Sequence, residues 1–287
     1  MAGWILWLLL HAFGIALATA LTQIGGIVYV LAMLVVAFGK RQWQLNPLLR
    51  LMLGSFWFLL LYAIASSSIV PPLAKAFGRE PLQCAATQKK PYGARSGLYC
   101  LLGRNYVRAE TREMIEALAA AMAAKDPRNV VVYLDAGFPF ADGFPMPPHL
   151  SHGDGLKIDL AYSYADRDGR YRPLASPSPL GYWAFEAPRE GERRECTDRF
   201  RFLTLRWDMR WWQIFVAKHL QLDNTRTGDA LRWLVEDGPK FGVDKVLIEP
   251  HIPERLGVAS PLLRFQGCAA ARHDDHMHVE VIAKELR

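Results

Sequence analysis

The chain has 287 residues, 51% of them hydrophobic, and a formal net charge of +6. That length holds one large domain or two small ones. The basic residues are scattered, so the charge reads as general solvation rather than as a patch for a polyanion. There is no internal repeat, no Gly-rich phosphate loop and no nucleic-acid motif. A nucleic-acid partner is therefore not expected, and no protein partner is predicted.

The apolar content is concentrated at the N-terminus. Residues 2–39 contain no Asp, Glu, Lys or Arg, and neither do residues 51–74. Both runs exceed the ~20 residues that span a bilayer. The first is too long for one perpendicular helix, reaching roughly 54 Å against a hydrocarbon core of ~30 Å. Gln23-Ile24-Gly25-Gly26 lies near its middle. Either two short helices form a hairpin there, or an interfacial segment precedes one spanning helix. A cleaved signal peptide fits poorly, because no basic residue precedes the run and a second apolar segment follows. His11 and Gln23 read as tolerated polar residues. The loop over 39–50 carries Lys40, Arg41 and Arg50, and the positive-inside rule puts it in the cytoplasm. The span over about 51–70 then runs outward, and everything after Pro71-Pro72 falls on the far side. This gives two or three transmembrane helices in an anchor, 1–75, and an extracytoplasmic domain, 76–287.

Four cysteines, Cys84, Cys100, Cys196 and Cys268, all lie beyond the apolar runs. An even number in an exported domain points to two disulfides. Cys84–Cys100 with Cys196–Cys268 is one of three pairings, and sequence does not choose among them. Four buried thiols are the alternative if the domain is cytosolic.

Residues 76–104 read as an irregular, disulfide-tied segment. A helix is predicted over 111–125, with Thr111 as N-cap and Ile115, Leu118, Ala119 and Met122 as its buried stripe. Asp126-Pro127-Arg128-Asn129 ends it, and the β-branched run 130–134 predicts a central strand. The proline-rich loop 137–148 leads to His149 and His152, as a cleft wall or as a turn-rich connection. Over 156–160, Leu156, Ile158 and Leu160 alternate with Lys157 and Asp159, the pattern of a half-buried strand. Residues 165–205 look like an insertion without periodicity. Their aromatics Tyr171, Tyr182, Trp183 and Phe185 either line a groove or, more simply, pin an irregular loop. Helices are predicted over 211–221, with Trp212, Phe215, Val216 and His219 on one face, and over 227–236, capped by Thr227 or Asp229. A strand follows over 243–248. His219 and His251 read as structural.

The stretch His273-Asp274-Asp275-His276-Met277-His278-Val279-Glu280-Val281 holds three of the eight histidines. As a strand it points His276 and His278 to one face and Met277, Val279 and Val281 to the other. A strand presenting Asp159, preceded by a turn presenting His152, can meet a strand presenting His278. Two imidazoles and one carboxylate leave a fourth position open, which is the pattern of catalytic rather than structural zinc.

These motifs resemble the zinc peptidases of the lysostaphin, D-alanyl-D-alanine peptidase and hedgehog group, and within it the penicillin-insensitive murein endopeptidases. The likeness rests on His149-x-x-His152, Gly155-Leu156-x-x-Asp159 and His273-x-x-His276-Met277-His278-Val279. It covers roughly residues 128–160 and 240–282. The resemblance implies an α+β fold, a small antiparallel sheet flanked by helices, with Zn2+ on His152, Asp159 and His278. His276 would handle the proton of the attacking water and the oxyanion, with His273 as its partner and His149 a weaker candidate. The implied activity is hydrolysis of D-alanyl–diaminopimelyl cross-links in peptidoglycan peptides, at a bacterial inner membrane with the domain facing the periplasm. A D,D-carboxypeptidase acting on stem peptides, or a non-catalytic zinc-containing domain that binds cell wall or a partner, are the alternatives. Lys157 stands where the family often has an acidic residue, and Glu280 where it tends to have Arg. A membrane anchor replaces the expected cleavable signal.

Overall fold

The computed structural model describes residues 2–39, 46–147, 149–196, 206 and 209–283. The basic loop proposed over 39–50 lies largely outside them.

The first apolar run forms a hairpin of α1 (Ala2–Thr22) and α2 (Gly25–Phe38). The break needs Gln23 in the left-handed region, at φ 64°. It also needs the two glycines that follow, since a Cβ on Gly25 or Gly26 would sit 2.5 Å or 1.9 Å from the Thr22 or Thr19 hydroxyl. The His11 ring and the Tyr29 hydroxyl join the two helices, Nδ1 to OH at 2.8 Å. Asn46 caps α3 (Pro47–Ile64), accepting from the Leu49 N–H. A π-helical turn over Ala65–Ile69 carries α3 into α4 (Val70–Ala76). Residues 3–22 and 47–76 are two helices long and apolar enough to cross a membrane. At 14 residues, α2 is only about 21 Å long.

The domain that follows contains β1 (Glu80–Pro81), β2 (Tyr92–Ala94), α5 (Gly97–Leu101), β3 (Tyr106–Val107), α6 (Ala109–Lys125), β4 (Val131–Tyr133), β5 (Lys157–Ala161) and β6 (Tyr164–Ala165). It continues with β7 (Gln221–Leu222), α7 (Asn224–Glu236), β8 (Val243–Leu247), α8 (His251–Leu256), β9 (Leu263–Arg264) and β10 (His276–Val281). The main sheet has the order β2-β4-β5-β10-β8-β9. Its middle is antiparallel, but β2 pairs with β4 and β8 with β9 in parallel. The expected all-antiparallel sheet is thus corrected to a mixed one. The reason is connectivity: parallel neighbours need a crossover, and α6 and α8 supply one on each side.

β10 pairs with β5 so that His278 faces Asp159, Val279 faces Ile158 and Met277 faces Leu160. The apolar face packs against Met114, Ile115, Leu118 and Met122 of α6 and Leu231 and Leu234 of α7. That sheet–helix layer is the core. The stripe foreseen on α6 is buried, but Thr111 does not cap it. The helix starts at Ala109, and the Thr111 hydroxyl donates to the Gly155 carbonyl instead. The cap of α7 is Asp223, which accepts from the Arg226 N–H, rather than Thr227 or Asp229. The helix expected over 211–221 is only a 3-10 turn, Arg210–Phe215. Trp212 and Gln213 are tied to Ser178 and Trp183 there, and the chain then leaves to form β7. Both disulfides are present as Cys84–Cys100 and Cys196–Cys268.

The apolar helices dock on this domain. Gln23 accepts from the Phe140 N–H at 2.9 Å, and the Tyr62 hydroxyl donates to the Leu101 carbonyl at 2.7 Å. Just past α4, buried Arg79 donates to the carbonyls of Phe138 and Gly153, each at 2.7 Å, and pairs with Asp142. Gly153 is the neighbour of His152. The link between helices and domain therefore grips the turn that carries a candidate ligand.

Candidate metal centre

Three elements converge on one point. His152 sits on the 3-10 turn Leu150–Asp154, which Gly155 ends in the left-handed region at φ 72°. Asp159 is at the middle of β5 and His278 in β10, side by side through the strand register. His152 Nε2, Asp159 Oδ1 and His278 Nδ1 lie 2.8 to 3.2 Å from one another. Ligand atoms on a tetrahedral zinc with bonds of ~2.0–2.1 Å are separated by about 3.3 Å. All three residues are buried.

The protonation pattern fits a cation. His152 Nδ1 is 2.7 Å from the Ala136 carbonyl oxygen. A carbonyl only accepts, so Nδ1 carries the hydrogen and Nε2 of the neutral ring offers a lone pair. Burial holds the His152 ring below its ordinary pKa and thus neutral, against the pull of Asp159. Burial would raise the Asp159 carboxyl, but the imidazoles of His152, His276 and His278 outweigh it and hold it well below the usual carboxylate range. A lone pair and an ionised oxygen 3.2 Å apart repel unless a proton or a metal ion lies between them. His278 Nε2 has no hydrogen-bond partner among the described residues, the Glu280 carboxylate standing 3.5 Å away, and a metal on Nδ1 would leave the ring hydrogen on that Nε2. Burial opposes ionisation of Glu280, yet His278 and Lys245 bring its pKa down to about 2.

The ligand face is braced by Tyr182 and His149, and by Arg104 and Asp135, which the sequence did not assign to the site. The Tyr182 hydroxyl is 2.6 Å from Asp159 Oδ2. Burial, with Asp135 and Asp159 nearby, pushes that phenol well above its ordinary pKa, so it is the donor. Asp135 is buried and forked by Arg104, Nε to Oδ1 at 2.6 Å and Nη2 to Oδ2 at 2.9 Å. His149 Nδ1 is 2.9 Å from Asp135 and 3.4 Å from Asp159. Asp135, His149 and Asp159 also bring ligand-type atoms within 4.8 Å of one another. Arg104 and Tyr182 already engage both carboxylates there, so this second group reads as a hydrogen-bonded frame for the first.

His276 and His273 are both brought to the site. His276 Nε2 lies 3.7 Å from Asp159 Oδ1, and Asp275 Oδ1 is 2.5 Å from its Nδ1. The ring of His273 is 4.9 Å from that of His276 and 5.7 Å from that of His278. His276 Nε2 and His273 Nδ1 are buried without a hydrogen-bond partner among the described residues. Burial opposes the charged form of His276, but Asp159 and Asp275 raise it to about 9. Burial, with His276 and His278 beside it, pushes His273 well below its ordinary value. Lys157 is turned to Asp154. Of the four aromatics read either as lining a groove or, more simply, as pinning an irregular loop, Tyr182 is in the site and Trp183 donates its backbone N–H to Asp275. Phe185 carries the Arg272 guanidinium at 3.9 Å, while Tyr171 packs on Arg226 well away from the ligands. His251 is structural as expected, its Nε2 2.7 Å from the Glu186 carbonyl oxygen.

No protein-family model matches the chain, and no curated protein matches it. The buried His/Asp group can hold a metal ion. Its donor set of two imidazole nitrogens and one carboxylate oxygen is one that zinc accepts.

Proposed function

We propose that the chain is a membrane-anchored zinc metallopeptidase, and that it hydrolyses D-alanyl–diaminopimelyl cross-links of peptidoglycan on the periplasmic side of a bacterial inner membrane. The observation that carries this reading is the closure of His152 Nε2, Asp159 Oδ1 and His278 Nδ1 to within 3.2 Å, with the unpartnered His276 Nε2 beside them. A structural metal site would have no use for that third imidazole. The resemblance of the motifs supplies the substrate.

His152, Asp159 and His278 would hold the ion. Zinc bound there would supply a Lewis acid for a scissile carbonyl and bring the pKa of a coordinated water toward ~7. His276, charged at neutral pH, would donate the proton on Nε2 to the developing oxyanion or the leaving amine, with Asp275 fixing the opposite nitrogen. His273, neutral and buried, lies against the His276 ring. Tyr182 restrains Asp159 Oδ2 and leaves Oδ1 to the metal. No acylated serine or cysteine is required, so β-lactams would not block the reaction.

The helix ends support the membrane orientation. The α1–α2 turn and the end of α4 both meet the domain, which puts the far ends of α2 and α3 on the opposite side. The disulfides agree with an exported domain.

The test is metal analysis of the full-length protein in detergent, followed by digestion of cross-linked muropeptides with and without chelator. About one zinc per chain and chelator-sensitive loss of the cross-link are expected. Products shortened only at a terminal D-alanine would assign the carboxypeptidase. Metal without cleavage would leave a zinc-holding binding domain, and no metal after reconstitution would overturn the reading.

A further inference from the structure

Among the described residues beyond α4 there are eight large hydrophobics that are strongly exposed, and five of them fall on two short elements. Leu98 and Leu101 belong to α5, and Trp211, Ile214 and Phe215 to the 3-10 turn Arg210–Phe215. Ile214 is 80% exposed and Trp211 63%. A single exposed leucine needs no explanation, but a cluster with tryptophan does.

The two elements are linked to each other and to the apolar helices. The Tyr62 hydroxyl of α3 donates to the Leu101 carbonyl at 2.7 Å, at the end of α5. From α5, the Tyr99 hydroxyl donates to the Leu180 carbonyl at 2.6 Å. Two residues earlier in that segment, the Ser178 hydroxyl accepts from Trp212 Nε1 at 3.0 Å. Three contacts therefore lead from Tyr62, midway along the candidate membrane helix 47–76, to the Trp-Ile-Phe turn. The turn has two sides: Trp212 and Gln213 face inward, onto Ser178 and Trp183, while Trp211, Ile214 and Phe215 face out. Lys218, exposed, follows directly. Tryptophan beside aliphatic residues and a cation is the composition of an interfacial segment.

We propose that the outer leaflet of the bilayer covers this face, so that the domain is seated on the membrane through α5 and the 210–215 turn. The inference rests on the membrane-anchor reading given above and not on the peptidase reading. Its occupant is the boundary between phospholipid headgroups and acyl chains. The contact of α5 with Tyr62 favours lipid over a protein partner, because Tyr62 lies on a helix long and apolar enough to cross a membrane. The seat also adjoins the metal centre: Gln213 donates to the Trp183 carbonyl, and the Trp183 N–H to Asp275, the partner of His276.

The test uses the full-length chain in nanodiscs of mixed phosphatidylcholine and phosphatidylglycerol. All four native cysteines are in disulfides, so a single introduced cysteine can carry a nitroxide. Leu59→Cys, Leu98→Cys, Ile214→Cys and Lys240→Cys are labelled one at a time. Each replaces an exposed side chain, and metal content of each variant checks that the fold survives. Collision with oxygen and with a water-soluble nickel chelate reads depth. The labels at 98 and 214 should sit about 5–10 Å into the interface, roughly fivefold less open to the chelate than the label at 240. Labels at 98 and 214 as open as that at 240, with the label at 59 in hydrocarbon, would overturn the seat and leave the anchor standing. A label at 59 open to the chelate would overturn the anchor and the seat together. Labels at 98 and 214 shielded from both oxygen and chelate would mark a protein contact and would also overturn the seat.

Discussion

The two faces of β10 are built from alternate residues of one strand and behave as opposites. Met277, Val279 and Val281 are closed into the core against Ile158, Leu160 and α6. They need only volume and apolarity. His276 and His278, on the other face, are equally buried, yet every ring nitrogen has a specific carboxylate, imidazole or open position opposite it. Burial is common to both faces, so it does not distinguish fold from chemistry. The distinction is that one face is held by packing, which tolerates small changes, and the other by a balance of charges, which does not.

Substitutions can separate the faces. The largest effect is expected from His278→Ala, which should remove both the bound metal and the hydrolysis while the thermal transition of the metal-free protein survives. Full metal stoichiometry in that variant would break the ligand set. His276→Ala should keep the metal and slow turnover by about 10²–10⁴-fold, the range for a lost general base or acid. Single-turnover rates at measured metal occupancy decide this, and an unchanged rate would remove His276 from the reaction.

On the opposite face, Met277→Ala should cost ~2–5 kcal/mol of stability and leave metal stoichiometry in the folded fraction unchanged. Denaturant titration alongside metal analysis reads both. A parallel loss of metal affinity would show that the faces are coupled through the strand. The smallest expected effect is that of Tyr182→Phe. It deletes only the donor to Asp159 Oδ2, and metal affinity should fall by about 10–100-fold, as for other groups that orient a ligand. Competition with a chromogenic chelator measures it. Equal affinity would mean that the Asp135 and His149 frame suffices.

Much of this comparison is legible from the residues alone, because period-2 alternation assigns faces without knowledge of neighbours. That logic placed His276 with His278, Met277 with Val279, and Asp159 opposite Ile158. The break in the first apolar run was legible from its length and its glycines, although the left-handed Gln23 and the His11–Tyr29 contact that select the hairpin were not. What was not legible has physical reasons. Tyr182 lies in a stretch with no periodicity, 23 residues from the carboxylate it restrains, and nothing local requires it to turn inward. Arg104 and Asp135 meet across 31 residues, and only the fold brings them together. Helix starts were misplaced where several polar residues could cap: Asp223 rather than Thr227 holds α7, and Thr111 is drawn to Gly155. The Trp-rich stretch 211–221 has helical spacing, but contacts to Ser178 and Trp183 hold its start as a single turn. The parallel pairs of the sheet were missed because strand direction depends on the crossovers, which no strand reveals by itself.

The position of β10 in the sheet has a consequence for how the protein is made. β5 and β8 are synthesised well before the strand that lies between them. Until β10 arrives, both present unpaired backbone edges, and open edges are templates for wrong partners. Its pairing with β5 spans more than a hundred residues, a non-local closure of the kind that folds slowly. The nascent domain should therefore be a client for chaperones that hold unfinished chains. That same late strand brings His278 to Asp159, so the candidate metal group is also incomplete until the last strand has paired.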